Sequence, residues 1–363
     1  AAARWTVLLF LAFAMFCSYI FMDILSPIKD LMQSTRGWDS TAFGTMQGSE
    51  TFLNVFVFFL IFAGIILDKM GVRFTAVLSG FVMLIGATIN WYAVTEQFIG
   101  SGLETWFNNN LNYIPGFDEL GISPFYEGMP ASAKFAAIGF MIFGCGVEMA
   151  GITVSRGIVK WFKGREMALA MGSEMALARL GVATCMIFSP VFAKLGGDID
   201  VSRSVAFGVV LLLIALIMFI VYFFMDKKLD AQTGEAEEKD DPFKISDLGK
   251  ILSSGGFWLV ALLCVLYYSA IFPFQKYAVN MLQCNLTFTK LSPDSFWATN
   301  TVTVIQYCIM LVVAAAAFAS NFAKNKSLRA AYLITAVVAL VVFCYMGYMR
   351  QSAETVFAVF PLL

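Results

Sequence analysis

The sequence predicts an all-α fold, a polytopic bundle of membrane-spanning helices, on three observations. Its 363 residues are 60% hydrophobic and only 13% charged, where soluble chains average about a quarter charged. Apolar runs of about 20 residues, the length a helix needs to cross a ~30 Å hydrocarbon core, recur along the chain. Basic residues gather in every second loop, the asymmetry that orients helices in a bilayer.

Nine runs qualify, roughly at 5–27, 45–68, 73–95, 132–159, 167–194, 203–225, 253–275, 296–320 and 328–349, and residues 353–363 open another. The first is long enough to be a span and not a cleavable signal. Trp5, Trp91, Trp161, Trp258 and Trp297 fall near span ends, where amphipathic rings anchor at the headgroups. Lys69 and Arg73, then Lys160, Lys163 and Arg165, then Lys324, Lys326 and Arg329 mark one side. The opposite loops are acidic or mixed, with Glu96, Glu104, Asp118, Glu119 and Glu127 in the longest and Asp198 and Asp200 in another. This places the N-terminus in the cytoplasm. Asp226 to Lys250, with Glu235, Glu237, Glu238, Asp240 and Asp241, is too polar to enter a bilayer and reads as a cytoplasmic linker. The expected organisation is a six-helix lobe at 1–225, a linker at 226–250 and a partial second lobe at 251–363, whose last run stops short of a crossing. Two lobes that rock about a midplane site are the layout of many secondary transporters.

Composition also excludes. A net charge of -1 offers no basic footprint for nucleic acid. The chain has no histidine, and its seven cysteines show no C-x-x-C spacing, so no metal site, disulfide framework or cofactor is expected. Nor does a nucleophile stand at usable spacing from a base, so the chain does not read as an enzyme. The partners implied are a small-molecule solute, the lipid bilayer and protons, and no accessory subunit is specified. The absence of targeting tails points to a bacterial inner membrane.

Between the second and third spans, Gly64, Asp68, Lys69, Gly71 and Arg73 follow the pattern G-x-x-x-D-K-x-G-x-R. Gly64 and Asp68 lie one helical turn apart, Gly64 permits close helix approach, and Gly71 permits a sharp reversal. The same loop also satisfies the ordinary positive-inside rule. The pattern resembles the signature of the major facilitator superfamily. That resemblance implies twelve spans in two six-helix lobes, with Gly64, Asp68, Gly71 and Arg73 in a gate between them. The equivalent loop of the second half carries Asn321 where an Asp would stand.

Ionisable groups inside spans cost roughly 2.5–3.5 kcal/mol each by insertion measurements and mark sites by default. Six stand out: Asp23, Glu50, Glu148, Arg156, Glu174 and Arg179. Tyr19 shares a helix face with Asp23, a pair suited to a cation or an ammonium group, although solvation of Asp23 at a span end would also explain it. Glu148 and Arg179 lie at equal distances from the loop joining their helices, about 20 Å deep at 1.5 Å per residue. They are either a structural ion pair or the two ends of a site for a zwitterion, since an Arg fork takes a carboxylate bidentately. Arg156, near the basic end, belongs with Asp68 in the gate. Glu50, Glu174 and Glu148 are the candidate proton carriers. In the seventh span Pro273 should break the helix, opening a cavity beside Tyr267 and Tyr268.

Four stretches are similar to the lysosomal dipeptide transporter branch of the superfamily: Ser18-Tyr19 with Asp23; Leu67-Asp68 with Gly71 and Arg73; Trp161 to Glu166 flanked by Glu148 and Arg179; and Tyr267-Tyr268 with Phe272-Pro273-Phe274. The resemblance implies that Glu148 and Arg179 hold the amino and carboxyl ends of a dipeptide. Glu50, Arg156, Glu174 and Lys276 depart from the pattern. The expected function is a secondary transporter for small zwitterionic solutes, dipeptides or amino-acid-like compounds, facilitated or proton-coupled. The alternatives are a carrier of an organic anion, sugar or drug on the same fold, and a non-transporting membrane scaffold or receptor.

Overall fold

A computed structural model describes residues 2–163, 166–233, 249, 252–286, 296–320, 322–323 and 325–350. The acidic stretch 234–248, Arg165, Asn321, Lys324 and the final apolar run 353–363 therefore lie outside the described residues.

The first crossing is built from α1 (Ala2–Met22), a 3₁₀ turn at Ser26–Ile28 and α2 (Lys29–Arg36). It ends at Gly37, whose φ of 68° lets its N–H return to the carbonyls of Met32 and Gln33. Asp39 then caps α3 (Ser40–Ser49) by accepting from the Ala42 N–H at 2.7 Å. There follow α4 (Phe52–Phe56), α5 (Phe59–Ala93), the short α6 (Gly102–Asn110), α7 (Ala131–Trp161), α8 (Met167–Ala193), α9 (Val201–Thr233), α10 (Gly255–Leu286), α11 (Phe296–Ser320) and α12 (Lys326–Arg350). Among the described residues, seven helical stretches are long and apolar enough to cross a membrane.

Two elements differ from expectation and a third follows it. The run 45–68 is not one helix: it is interrupted after Ser49 and again at Val57-Phe58, where Phe58 takes a left-handed φ of 57°. Its β-branched and aromatic side chains lose rotamer freedom in a helix and hold one weakly. Helical geometry also fails at Gly71 (φ 81°, ψ 165°), which separates two segments of α5, the glycine-dependent change of direction that the loop pattern called for. Pro273 does not break α10, which runs through it. A membrane helix tolerates the missing donor when its neighbours satisfy the freed carbonyl.

α9 continues beyond residue 225 to Thr233, because the carboxylates of Asp226 and Asp230 are neutralised by Arg73 and Lys160.

Among the described residues, packing is concentrated in α1 to α9. α5 lies along α7 and α9, and α1 along α8 and α9. Lipid is as apolar as leucine, so such helices associate through close approach and hydrogen bonds more than through water exclusion. Two glycines supply the approach next to the charged residues. A Cβ on Gly144 of α7 would strike the carbonyl of Glu50, and one on Gly181 of α8 would strike the carbonyl of Phe16 in α1. From α10 onwards most apolar side chains are exposed, including Leu259, Leu263 and Val341.

α10 nevertheless meets the first lobe closely at the end remote from the basic loops. Tyr277 packs edge-on to Phe43, with ring centroids 6.2 Å apart. Its hydroxyl oxygen would lie 2.7 Å from a Cβ placed on Gly44. Lys29 donates to the Asn280 amide oxygen at 3.2 Å, and the Asn280 amide donates to Asp30 at 2.6 Å.

Candidate functional site

Where α1, α8 and α10 converge there is a narrow cavity lined by Tyr19, Met22, Asp23, Arg179, Val182, Phe272 and Lys276. Helical spacing explains the membership. Arg179 and Val182 are three apart and Phe272 and Lys276 four apart, so each pair shares one face of its helix. Gly181 seats α8 against α1 and so brings Arg179 to Tyr19, whose ring centroid lies 5.9 Å from the guanidinium carbon.

Arg179 forms no ion pair among the described residues. The pairing with Glu148 that the sequence left open is thus not made. Glu148 sits on α7, half-buried, and does not line the cavity, although Glu148, Glu174 and Tyr268 are all within electrostatic range of Tyr19. Glu174 is buried and, among the described residues, carries no ion pair.

Asp23 and Glu50 converge on a group the sequence reading did not choose. The Lys276 ammonium lies 3.2 Å from Glu50, 3.2 Å from the Gln47 side-chain oxygen and 3.9 Å from Asp23, with the Phe140 ring centroid at 5.6 Å. The cation foreseen beside Asp23 is, in this conformation, the protein's own. Lys276 carried the same signal as the six chosen charges, since it is an ionisable group next to an apolar run.

Tyr268 stacks on the cavity residue Phe272 at 4.9 Å, and Tyr267 meets Tyr268 edge-on at 5.2 Å. Tyr268 is therefore one ring removed from the cavity. Tyr267 is 56% exposed and turned away from it.

The basic end holds a second cluster. Arg156 of α7 meets Asp68 at 2.5 Å. Arg73 reaches Asp230 at 2.6 Å and Asp226 at 3.4 Å, and Lys160 reaches the same two carboxylates at 2.9 and 2.7 Å. The Trp161 indole also donates to the fully buried Asp226 at 2.7 Å. Arg73 and Arg156 thus hold different partners. The close helix approach expected at Gly64 is absent, because a Cβ there would meet nothing within 4 Å. The flanking Ile61 and Phe62 are exposed, so among the described residues no helix covers that face of α5, while Ala63 and Leu67 are buried on another.

The family model described as Major Facilitator Superfamily matches residues 11–363. The chain belongs to the major facilitator superfamily. It is accordingly a multi-pass membrane protein of a transporter family, not an enzyme. The lysosomal dipeptide transporter MFSD1 of Danio rerio is 25% identical over 282 residues, which cover 75% of this chain and 52% of the relative. The protein of the same name from Gallus gallus is 30% identical over 145 residues, covering 38% of this chain and 32% of the relative. The chain thus spans about half the length of the curated relatives it matches. Their names place them in lysosomes, whereas the sequence alone pointed to a bacterial membrane. Among solved structures, a D-xylose-proton symporter superposes with a TM-score of 0.50 at 11% identity, covering 99% of this chain and 90% of the symporter. That likeness establishes the two-lobed superfamily fold.

Proposed function

We propose that the protein moves small zwitterionic solutes, dipeptides or amino-acid-like compounds, across a membrane by alternating access. The observation that carries this reading is Arg179. It is a guanidinium without an ion-pair partner among the described residues, in a cavity it shares with the Asp23 carboxylate. Holding such a group inside a bundle is costly, and a solute carboxylate is the partner that offsets the cost. Asp23 is the cavity carboxylate for the amino end and Tyr19 its aromatic wall, with Glu148 and Tyr268 behind them, within electrostatic range of Tyr19. The two dipeptide transporters named above support this solute class. A simple organic anion is a poorer match, because Lys276, the second central cation, is already held by Glu50.

Glu174 is the carboxylate we assign to proton carriage, because it is buried and carries no ion pair among the described residues. Glu50 is committed to Lys276. Asp68, Arg73, Arg156 and the turn at Gly71 form the gate at the basic end, which is assigned to the cytoplasm together with the N-terminus.

The test is uptake of a labelled dipeptide into liposomes, with and without a pH gradient, by the intact protein and by Glu148→Gln, Glu174→Gln and Arg179→Ala. Arg179→Ala abolishes uptake, and Glu174→Gln removes the response to the gradient. Absence of uptake by the intact protein, or normal uptake by Arg179→Ala, refutes the solute assignment.

A further inference from the structure

The Lys276 ammonium sits in a cage whose other members all belong to the first half of the chain. Gln47 lies on α3 and Glu50 just after it, Asp23 follows α1, and Phe140 is on α7. Two carboxylates, an amide oxygen and an aromatic face are the groups that recognise a primary ammonium. Lys276 alone arrives from α10.

We infer that this cage is an ammonium-binding site of the carrier, filled by Lys276 when the carrier is empty, and that the amino end of the solute takes the place of Lys276 during transport. The inference rests on the zwitterionic-solute reading above and adds to it a residue that competes with the solute. Alternating access moves α10 relative to the helices that build the cage. Withdrawing Lys276 with nothing in its place leaves Asp23 and Glu50, whose side chains are 5% and 9% exposed, without their cation. A buried charge stripped of its partner is strongly unfavourable. A solute ammonium entering the cage supplies the missing charge while Arg179, on the same cavity, takes the solute carboxylate. On the return stroke the solute has gone, and Lys276 supplies it instead. The tethered ammonium is therefore what allows the empty carrier to reorient.

The charges facing the cage define the test. They are Asp23 and Glu50 against Lys276, with Arg179 across the cavity, Glu148 of α7 acting on Glu50, and the Tyr277 phenol beside Lys276 on α10. Lys276→Met is compared with the intact protein in liposomes at neutral pH. The ratio of dipeptide exchange to net uptake into empty liposomes rises at least about tenfold over that of the intact protein, as a stranded pair of carboxylates requires. Adding Glu50→Gln to Lys276→Met restores the net charge of the cage and recovers net uptake. If Lys276→Met does not fold, Lys276→Gln gives the same split.

A second arm does not depend on the transported solute. In detergent, glycinamide, a primary ammonium without a carboxylate, raises the unfolding temperature of Lys276→Met and leaves that of the intact protein unchanged. Equal loss of exchange and net uptake, or equal stabilisation of intact protein and Lys276→Met by glycinamide, overturns the inference. If the intact protein exchanges no dipeptide, the solute reading fails while the glycinamide comparison still decides the cage.

Discussion

Arg179 holds its guanidinium over the ring of Tyr19, 5.9 Å from the centroid, and takes no carboxylate among the described residues. The contact is with the ring face, so the ring is what positions the cation. Tyr19→Phe should keep dipeptide uptake within about threefold, because a cation over an aromatic face contributes only about 0.5–2 kcal/mol and survives the change. Arg179→Lys keeps the charge but loses the fork, and should lower uptake at least about tenfold, in line with about 1.5–3 kcal/mol for a hydrogen bond to a charged group. Initial rates in liposomes decide between them, and Tyr19→Phe falling as far as Arg179→Lys would assign the work to the hydroxyl.

At the basic end, two acidic residues of the same cluster should respond differently to amidation. Asp226 is fully buried and holds Arg73, Lys160 and the Trp161 indole. Asp226→Asn leaves Arg73 and Lys160 to share Asp230 alone and should cost about 1.5–3 kcal/mol of stability, as for a lost hydrogen bond to a charged group. Asp68 and Arg156 are 39% and 29% exposed, so Asp68→Asn should cost no more than about 1 kcal/mol, as for solvated pairs. Thermal unfolding of the two variants in detergent measures the contrast.

Gly144 and Gly151 lie two turns apart on α7 but meet different surroundings. A methyl on Gly144 collides with the Glu50 carbonyl, whereas one on Gly151 meets nothing within 4 Å. Gly144→Ala should destabilise by about 1–3 kcal/mol, the usual cost of overpacking, and reduce transport by shifting Glu50 away from Lys276. Gly151→Ala should be neutral or stabilising by up to about 1 kcal/mol, as helix propensity alone gives. Denaturation and uptake assays on both variants test the pair.

Arg203, in the first turn of α9, donates to both carboxylate oxygens of Asp198 in the preceding loop, at 2.9 and 3.0 Å, and also to the Leu195 carbonyl. The Arg203 hydrogen bond is the largest influence holding Asp198 below the ordinary carboxylate range. A depressed folded pKa means that the clasp's contribution is present above the unfolded value and is lost as pH falls through the folded one. Carboxyl NMR should therefore show Asp198 titrating below about 3.9, the ordinary aspartate value, and Arg203→Gln should raise it towards that value.

The positions of the spans were legible because a ~30 Å apolar solvent leaves a length signature that irregular packing cannot erase. The breaks at Val57-Phe58 and the unbroken passage through Pro273 were not legible, because both depend on what neighbouring helices do with exposed carbonyls. Equal sequence distance from the loop joining α7 and α8 was legible for Glu148 and Arg179. Rotation about the helix axis was not, and rotation is what keeps Glu148 out of the cavity and brings in Lys276. The buried Asp226 was hidden for a similar reason. A carboxylate in a charge-rich stretch looks solvated until Arg73 and Lys160, distant in sequence, are seen on it.

Tyr277 rests its hydroxyl where Gly44 has no side chain. The hold of α10 on the first lobe at that end is therefore gauged by the absence of a single carbon atom. Adding that carbon would act as a wedge, propping one mouth of the carrier ajar without touching any charge that handles the solute. Such a steric shim would let the conformational bias of the carrier be adjusted independently of its chemistry.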